Sequence, residues 1–433
     1  MLKSSKIKTT FLFALVLIMC LSCVTTAFAQ QLPNAEGAIV AQDEDNPVQA
    51  TITKNLRMPF GTTTPVSTFN FLATPRSVDE KVSEADLATM PALNPAALTV
   101  SFAATDTDPS NPTAGLLNVP KETGNLFHNV NFPHAGIFVY DISEIHDTNP
   151  NIDQSANDLL YYSDAQYTLT VYVANKSDGS GTFVYAVGAH IITNDAGNAA
   201  TGKVDPTPGG DGEHFLFSRM AFANDFVRTQ GPEIPGTPDP VAKSTLTVSK
   251  AVSGDFADRT QFFNFSMTLT VPELIHAADV PPYYRAYVVE NNTVIDPVNN
   301  AASALIGTDA GGSYIKISTT GSTEFTLRDG QRLAFVDTPV GTRYTATETA
   351  ATNYQTAVTV ITGSGMGVTL DALTTGEREI GEGTNSASFV NTRDSVTPTG
   401  LNLNNLPFIG LILLAAITLI TFVVVKIRRR NCY

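Results

Sequence analysis

Two lysines stand at positions where a strand wants apolar residues. In Leu246-Thr247-Val248-Ser249-Lys250 the two-residue period of a β-strand puts Leu246, Val248 and Lys250 on one face. Thr51-Ile52-Thr53-Lys54 repeats the arrangement in the first half of the chain, with Ile52 and Lys54 together. A lysine in a core is costly unless something neutralises it. Two further polar residues follow the same parity. Glu144 shares a face with Tyr140 and Ile142, and Glu348 with Tyr344 and Ala346. Asn224 shares a face with Phe222, and Asn391 with Phe389.

A lysine, a glutamate and an asparagine aimed at one core can form an intramolecular isopeptide bond. Burial lowers the lysine pKa and leaves a neutral, nucleophilic amine. Burial raises the glutamate pKa, so its acid form can hydrogen-bond the asparagine amide oxygen, polarise the amide carbon and supply a proton route as ammonia leaves. The product is an amide, and the buried charge is gone. Such a reaction is single-turnover self-processing, so the protein is not expected to be an enzyme. Each residue also has a plainer reading. A strand-end lysine can snorkel to solvent, Glu348 can mark a sheet edge, and Asn391 can open a turn. Recurrence of the same order and parity in both halves favours the reaction.

The elements that must position these groups read as strands. Composition agrees: the chain has no Trp, 15% charged residues, 25 Pro and 30 Gly, a balance that suits β-structure better than helix. In the first half the pattern predicts strands over Ala50–Lys54, Thr68–Leu72, Gly136–Glu144, Tyr167–Ala174, Thr182–Ile191 and Phe215–Asn224. A short helix is expected over Asp79–Thr89. In the second half, strands are expected over Leu246–Lys250, Phe262–Thr270, Ala286–Val289, Glu324–Leu327, Arg332–Val336, Arg343–Glu348, Thr356–Ile361 and Ala387–Asn391. Both halves carry Phe-Asn-Phe after the lysine, Tyr-x-x-x-Glu in the middle and Phe-x-Asn at the close, so they read as diverged copies. The fold expected is all-β: two tandem immunoglobulin-like β-sandwich domains. The boundaries are a flexible arm over 30–47, a first domain over 48–230, a proline-rich linker over 231–243 and a second domain over 244–395.

Both ends carry hydrophobic signals. Lys3, Lys6 and Lys8, an apolar run from Thr10 to Cys23, and Ala27-Phe28-Ala29 form a secretory signal peptide over 1–29. Leu406 to Val425 is long enough to cross a bilayer, and the basic tail from Lys426 keeps the C-terminus inside. All three cysteines lie in these ends, so the mature chain has no disulfide to use. Without the three basic residues of the leader and the four of the tail, 19 basic residues face 41 acidic ones. That sign argues against binding nucleic acid. The six histidines show no metal-ligand spacing, and no metal or cofactor is expected. Gly363-Ser-Gly-Met-Gly367 reads as a loop, and Asp106-Thr-Asp108 as a turn.

Val396-Thr397-Pro398-Thr399-Gly400, followed by the span and the basic tail, resembles a Gram-positive cell-wall sorting signal over 396–433. That resemblance implies a sortase that cuts between Thr399 and Gly400. Over most of its mature length the chain resembles the two-domain major pilins of Gram-positive bacteria, of the FctA or T-antigen type. The best-matching stretches are Thr245–Phe265, Glu324–Val358 and Ser388–Gly400, with a looser match through Lys54, Tyr140–Glu144, Tyr167–Ala174 and Asn224. The resemblance implies bonds Lys54–Asn224, assisted by Glu144, and Lys250–Asn391, assisted by Glu348. It implies a structural pilin, the backbone subunit of a cell-surface pilus anchored to the cell wall, with sortase, other pilin subunits and peptidoglycan as partners. The precursor would be membrane-anchored. The alternative is a wall-anchored or pilus-tip adhesin that binds a host ligand. The family's intersubunit lysine does not carry over, because Phe217 occupies its position; Lys121, Lys203, Lys176 and Lys243 are the candidates that remain.

Overall fold

The structure is a computed structural model, and it describes residues 38–152, 158–209, 218–229, 239–394 and 406–430. The signal peptide, most of the proline-rich linker, Phe217 and the motif Val396–Gly400 lie outside the described residues.

Alternating side chains build two β-sandwiches. In the first, one sheet runs in the order Ile39–Val40, Thr182–Thr193, Gln166–Asn175, Gly136–Asn149, Ser67–Val78, Thr99–Phe102, with Ala199–Val204 also paired to Thr182–Thr193. The facing sheet runs Leu116–Glu122, Thr53–Pro59, Ala221–Val227, Leu159–Tyr161. Leu56, Met58 and Phe222 of the smaller sheet meet Phe69, Phe138 and Leu169 of the larger in one core. In the second sandwich the larger sheet runs Ile306–Asp309, Gly312–Ser318, Tyr283–Glu290, Gln331–Phe335, Leu246–Ser253, Ser386–Thr392, Gln355–Ile361, Val368–Leu370. Thr293–Val294 pairs with Tyr283–Glu290 beside that path. Its partner sheet runs Ser322–Leu327, Phe263–Thr270, Arg343–Glu348, Arg378–Glu379.

Most expected strands are present, several longer than their sequence pattern. Arg343–Glu348 has the expected bounds, and Gly136–Asn149 runs five residues past Glu144. Four expectations need correction. The strand expected over Ala50–Lys54 begins at Thr53 and continues to Pro59; Ala50 to Ile52 are buried but unpaired as strand. Of the closing strand expected over Phe215–Asn224, residues 215–217 lie outside the described residues; the described strand, Ala221–Val227, runs three residues past Asn224. The helix expected over Asp79–Thr89 shrinks to Glu84–Leu87, capped by Ser83. The arm expected to be flexible is, in its described part from Ala38, docked on the domain: buried Ile39 pairs with Val187 on the edge of the larger sheet. Leu116–Glu122 went unpredicted; it contains Pro120, which an edge strand tolerates.

The sandwiches touch. Glu382 accepts hydrogen bonds from Thr63 N (2.9 Å), Thr63 Oγ1 (2.6 Å) and Arg228 Nη1 (2.7 Å). Tyr161 stacks on His276 at 3.7 Å and donates to Asp279. Val227 shares a small apolar cluster with Leu274 and Ile275. Gly341 sits at this junction with φ +86°, and a Cβ there would lie 2.3 Å from Pro59, so a side chain is excluded on both counts. A separate helix, Leu406–Arg430, carries an apolar stretch long enough to cross a membrane.

Candidate isopeptide sites

Each sandwich sets its lysine-bearing strand beside its asparagine-bearing strand, in parallel. Thr53–Pro59 pairs with Ala221–Val227, with Lys54 level with Phe222 and Leu56 level with Asn224. Leu246–Ser253 pairs with Ser386–Thr392, with Lys250 level with Phe389 and Val252 level with Asn391. The offset is the same in both. In a parallel pair, level residues face the same way, so lysine and asparagine both enter the core. The glutamate comes from the opposite sheet. Sheet sizes are exchanged between the halves: Glu144 lies in the larger sheet of the first sandwich, and Glu348 in the smaller sheet of the second.

The side chains converge. Lys54 Nζ donates to Glu144 Oε1 and Oε2 at 2.7 Å each, and Asn224 Nδ2 donates to Glu144 Oε1 at 2.8 Å. Lys250 Nζ donates to Glu348 Oε2 at 2.8 Å, and Asn391 Nδ2 donates to Glu348 Oε1. All six residues are buried; Lys54, Asn224 and Asn391 are 0% exposed. In each site one carboxylate therefore holds both the amine and the amide.

The amide orientation differs from the sequence expectation. The carboxylate meets the amide nitrogen, not the oxygen. In the first site Asn224 Oδ1 instead accepts from the backbone N–H of Ser163 at 2.8 Å. In the second site Asn391 Oδ1 has no hydrogen-bond partner among the described residues. Sequence reasoning missed Ser163, since a backbone donor leaves no mark in residue type.

The aromatic surroundings explain the Phe-Asn-Phe repeat. Lys54 Nζ lies 4.8 Å from the Phe69 ring centroid, and Lys250 Nζ lies 4.3 Å from that of Phe263 and 6.0 Å from that of Phe265. Phe71 packs on Phe222 and Phe265 on Phe389, closing the pockets. These rings exclude water, and their π-faces give the ammonium some compensation. Desolvation dominates all the same. It pulls Lys54 down to about 8 against the opposing pull of Glu144. It likewise pulls Lys250 down to about 8 against Glu348. Burial pushes the Glu144 carboxyl up, opposed by Lys54, by Asn224 and by the Ser163 N–H. Both shifts in the first site favour the neutral pair, amine and acid, that amide formation needs.

The remaining sequence candidates lie apart from these triads. Lys121 is level with Lys54 on the neighbouring edge strand, and its Nζ is committed to Ser101 O and Asp106 Oδ2 at 2.8 Å each. Lys203 is half-buried opposite His190, Lys176 is half-buried at the start of a hairpin turn closed on Gly181, and Lys243 is exposed. Asp106 and Asp108 both accept from local backbone N–H groups, Ala103 and Ser110 among them, as a turn requires.

Comparison with known proteins covers Lys54 and Glu144 of the first triad, but not Asn224, and all of the second triad. Residues 50–202 match the family model described as the Spy0128-like isopeptide containing domain, FctA. Residues 244–393 match a family described as Domain of unknown function (DUF7601). A pilin of Streptococcus pyogenes serotype M1 is 28% identical over 170 residues, which is 39% of this chain and 44% of that relative's length. Among solved structures, the major pilin from Streptococcus pyogenes aligns at 20% identity and a TM-score of 0.32, over 81% of this chain and all of that one. The major pilin protein (T3.2) from Streptococcus pyogenes aligns at 17% identity and a TM-score of 0.29, over 80% and 98%. Through its first domain above all, the chain is similar to the FctA-type pilins of Gram-positive bacteria.

Proposed function

We propose that this chain is a structural pilin, the backbone subunit of a sortase-assembled, covalently linked surface pilus, and that each domain closes an internal Lys–Asn isopeptide bond. The observation that carries the reading is the twin arrangement in which one buried carboxylate bridges a lysine amine and an asparagine amide. The amine of Lys54 attacks the amide carbon of Asn224 with Glu144 relaying protons, and Lys250, Asn391 and Glu348 do the same. One ammonia leaves per bond. The reaction happens once per domain, because its lysine and asparagine are consumed while the glutamate is restored.

The bonds close loops of about 170 and 140 residues, and a loop-entropy treatment puts each near roughly 5 kcal/mol. They take the place of disulfides in a chain whose cysteines, Cys20, Cys23 and Cys432, all lie in its terminal segments. A sortase then joins Thr399 to a lysine of the next subunit, and the last subunit to peptidoglycan. Intact-mass measurement tests the internal bonds: the chain should weigh less than calculated by two ammonia molecules. Assembly is tested on denaturing gels of wall digests. A sortase-dependent ladder is expected, and a single monomeric band would end the backbone reading in favour of a terminally anchored adhesin.

A further inference from the structure

Amide formation passes through a tetrahedral carbon whose oxygen carries negative charge, and a preset N–H at that oxygen is worth far more than one that must reorganise. The two sites differ here. Asn224 Oδ1 receives the Ser163 N–H at 2.8 Å, while Asn391 Oδ1 lacks a partner among the described residues. Ser163 is itself buried, at 1% exposure, and a tether fixes it. Its Oγ donates to Asp195 Oδ1 at 2.5 Å, the same oxygen accepts from Ala223 N at 2.8 Å, and Asp164 N donates to Asp195 O at 3.0 Å. Ala223 immediately precedes Asn224. Asp195 thus locks the donor segment to the residue beside the reacting amide.

We infer that the Ser163 backbone N–H is the oxyanion donor for Lys54–Asn224 bond formation, and that Asp195 is its positioning residue. This rests on the isopeptide reading above. The Lys54 Nζ lone pair forms the new C–N bond at Asn224 Cγ, and the carbonyl electron pair moves onto Oδ1, held by Ser163. Lys54 gives a proton to the Glu144 carboxyl group. Glu144 passes a proton to Nδ2, to which it is already hydrogen-bonded, the Cγ–Nδ2 bond breaks, and ammonia leaves. A polar cleft lined by Ser143, Glu144, His146 and Asp164 opens beside this point and offers the exit. The first domain should therefore cross-link faster than the second, which has no such donor among the described residues.

The test is pulsed cell-free synthesis of the full chain into lipid nanodiscs, with aliquots quenched in denaturant and the two cross-linked peptides quantified by mass spectrometry. The Lys54–Asn224 peptide is expected to appear before the Lys250–Asn391 peptide. Asp195→Ala should slow the first bond, on the order of a hundredfold for a lost oxyanion donor, and leave the second unchanged. Asp195→Asn keeps an acceptor oxygen for Ser163 Oγ and Ala223 N, and should recover most of the rate. Ser163→Pro removes the donor outright and should behave like Asp195→Ala, with hydrogen-exchange protection of Gln166–Asn175 showing that the sandwich still forms. A wild-type rate in both Asp195→Ala and Ser163→Pro would overturn the inference while leaving the bonds themselves standing. Absence of both cross-linked peptides from the wild type would sink the underlying reading, and this inference with it.

Discussion

Lys250 and Asn391 are not level with each other: Asn391 stands beside Val252, one two-residue step further along the parallel pair. Lys54 and Asn224 repeat the offset. Neighbouring strands are about 4.8 Å apart and a two-residue step spans about 6.6 Å. A lysine side chain that leans along its strand covers such a diagonal; one level with the asparagine would have to fold back on itself. Exchanging the positions, Lys250→Val with Val252→Lys, keeps composition and face but removes the diagonal. The double variant should retain the second domain's ammonia in an intact-mass measurement, whereas loss of that ammonia would show that register is unimportant.

The two acceptor-side substitutions should differ in cost. Asn391→Ala removes the bond but leaves Lys250 paired with Glu348. Glu348→Ala removes the bond and also strands an amine in the core, and an uncompensated buried charge costs about 3–5 kcal/mol. Glu348→Ala should therefore lower the second domain's melting temperature more than Asn391→Ala, with both gaining the mass of one ammonia. Equal melting temperatures would mean that Lys250 reaches solvent when unpaired.

Uncross-linked protein should titrate where the wild type does not. In an Asn224→Ala, Asn391→Ala chain the folded lysines lose their protons near about 8, against an ordinary 10.5. Between those values the unfolded state binds more protons, so stability climbs with pH through that window. Glu144, raised by burial, acts in the opposite sense in the acid range: there the folded state binds more protons, and stability falls as pH rises. On the proposed reading the wild-type lysines are spent in amides, and the alkaline climb should vanish. Chemical denaturation at stepped pH would show it; parallel curves for the two proteins would contradict amide formation.

Glu382 gathers three hydrogen bonds across the junction between the sandwiches. Its replacement by Ala leaves the Tyr161–His276 stack and the Val227 cluster, so each domain should melt as before. Partly exposed polar contacts of this kind are worth up to about 1 kcal/mol each. The expected result is a broader distribution of interdomain distances in small-angle scattering, and an unchanged profile would assign the junction to its apolar contacts alone.

Much of this site was legible before any coordinates. Period-two alternation alone put Lys54, Glu144, Asn224, Lys250, Glu348 and Asn391 on apolar faces, because one face of every strand in a sandwich must be buried. Phe69 and Phe263 were visible as a repeat, but their place against the lysines needed the sheet pairing. The missed elements have local causes. Leu116–Glu122 is an edge strand interrupted by Pro120, and Gly312–Ser318 begins on a glycine at φ +114°. The first strand's true start at Thr53 was hidden because Ala50 to Ile52 are buried without being paired as strand. The amide orientation and the Ser163 donor were beyond reach, since both depend on where one backbone N–H points.

Parallel pairing of Leu246–Ser253 with Ser386–Thr392 also sets where the chain enters and leaves the second sandwich. The two strands point the same way, so the polypeptide comes in at one pole and departs at the other. Domains of this kind thread end to end like links instead of doubling back. Pulling on such a link shears the two strands along their length and does not peel them apart. With the amide in place, the pull in the second domain runs from Leu246 to Lys250, crosses to Asn391 and exits at Thr392. Everything between those two side chains is spectator to the force, and the link cannot lengthen without breaking a covalent bond.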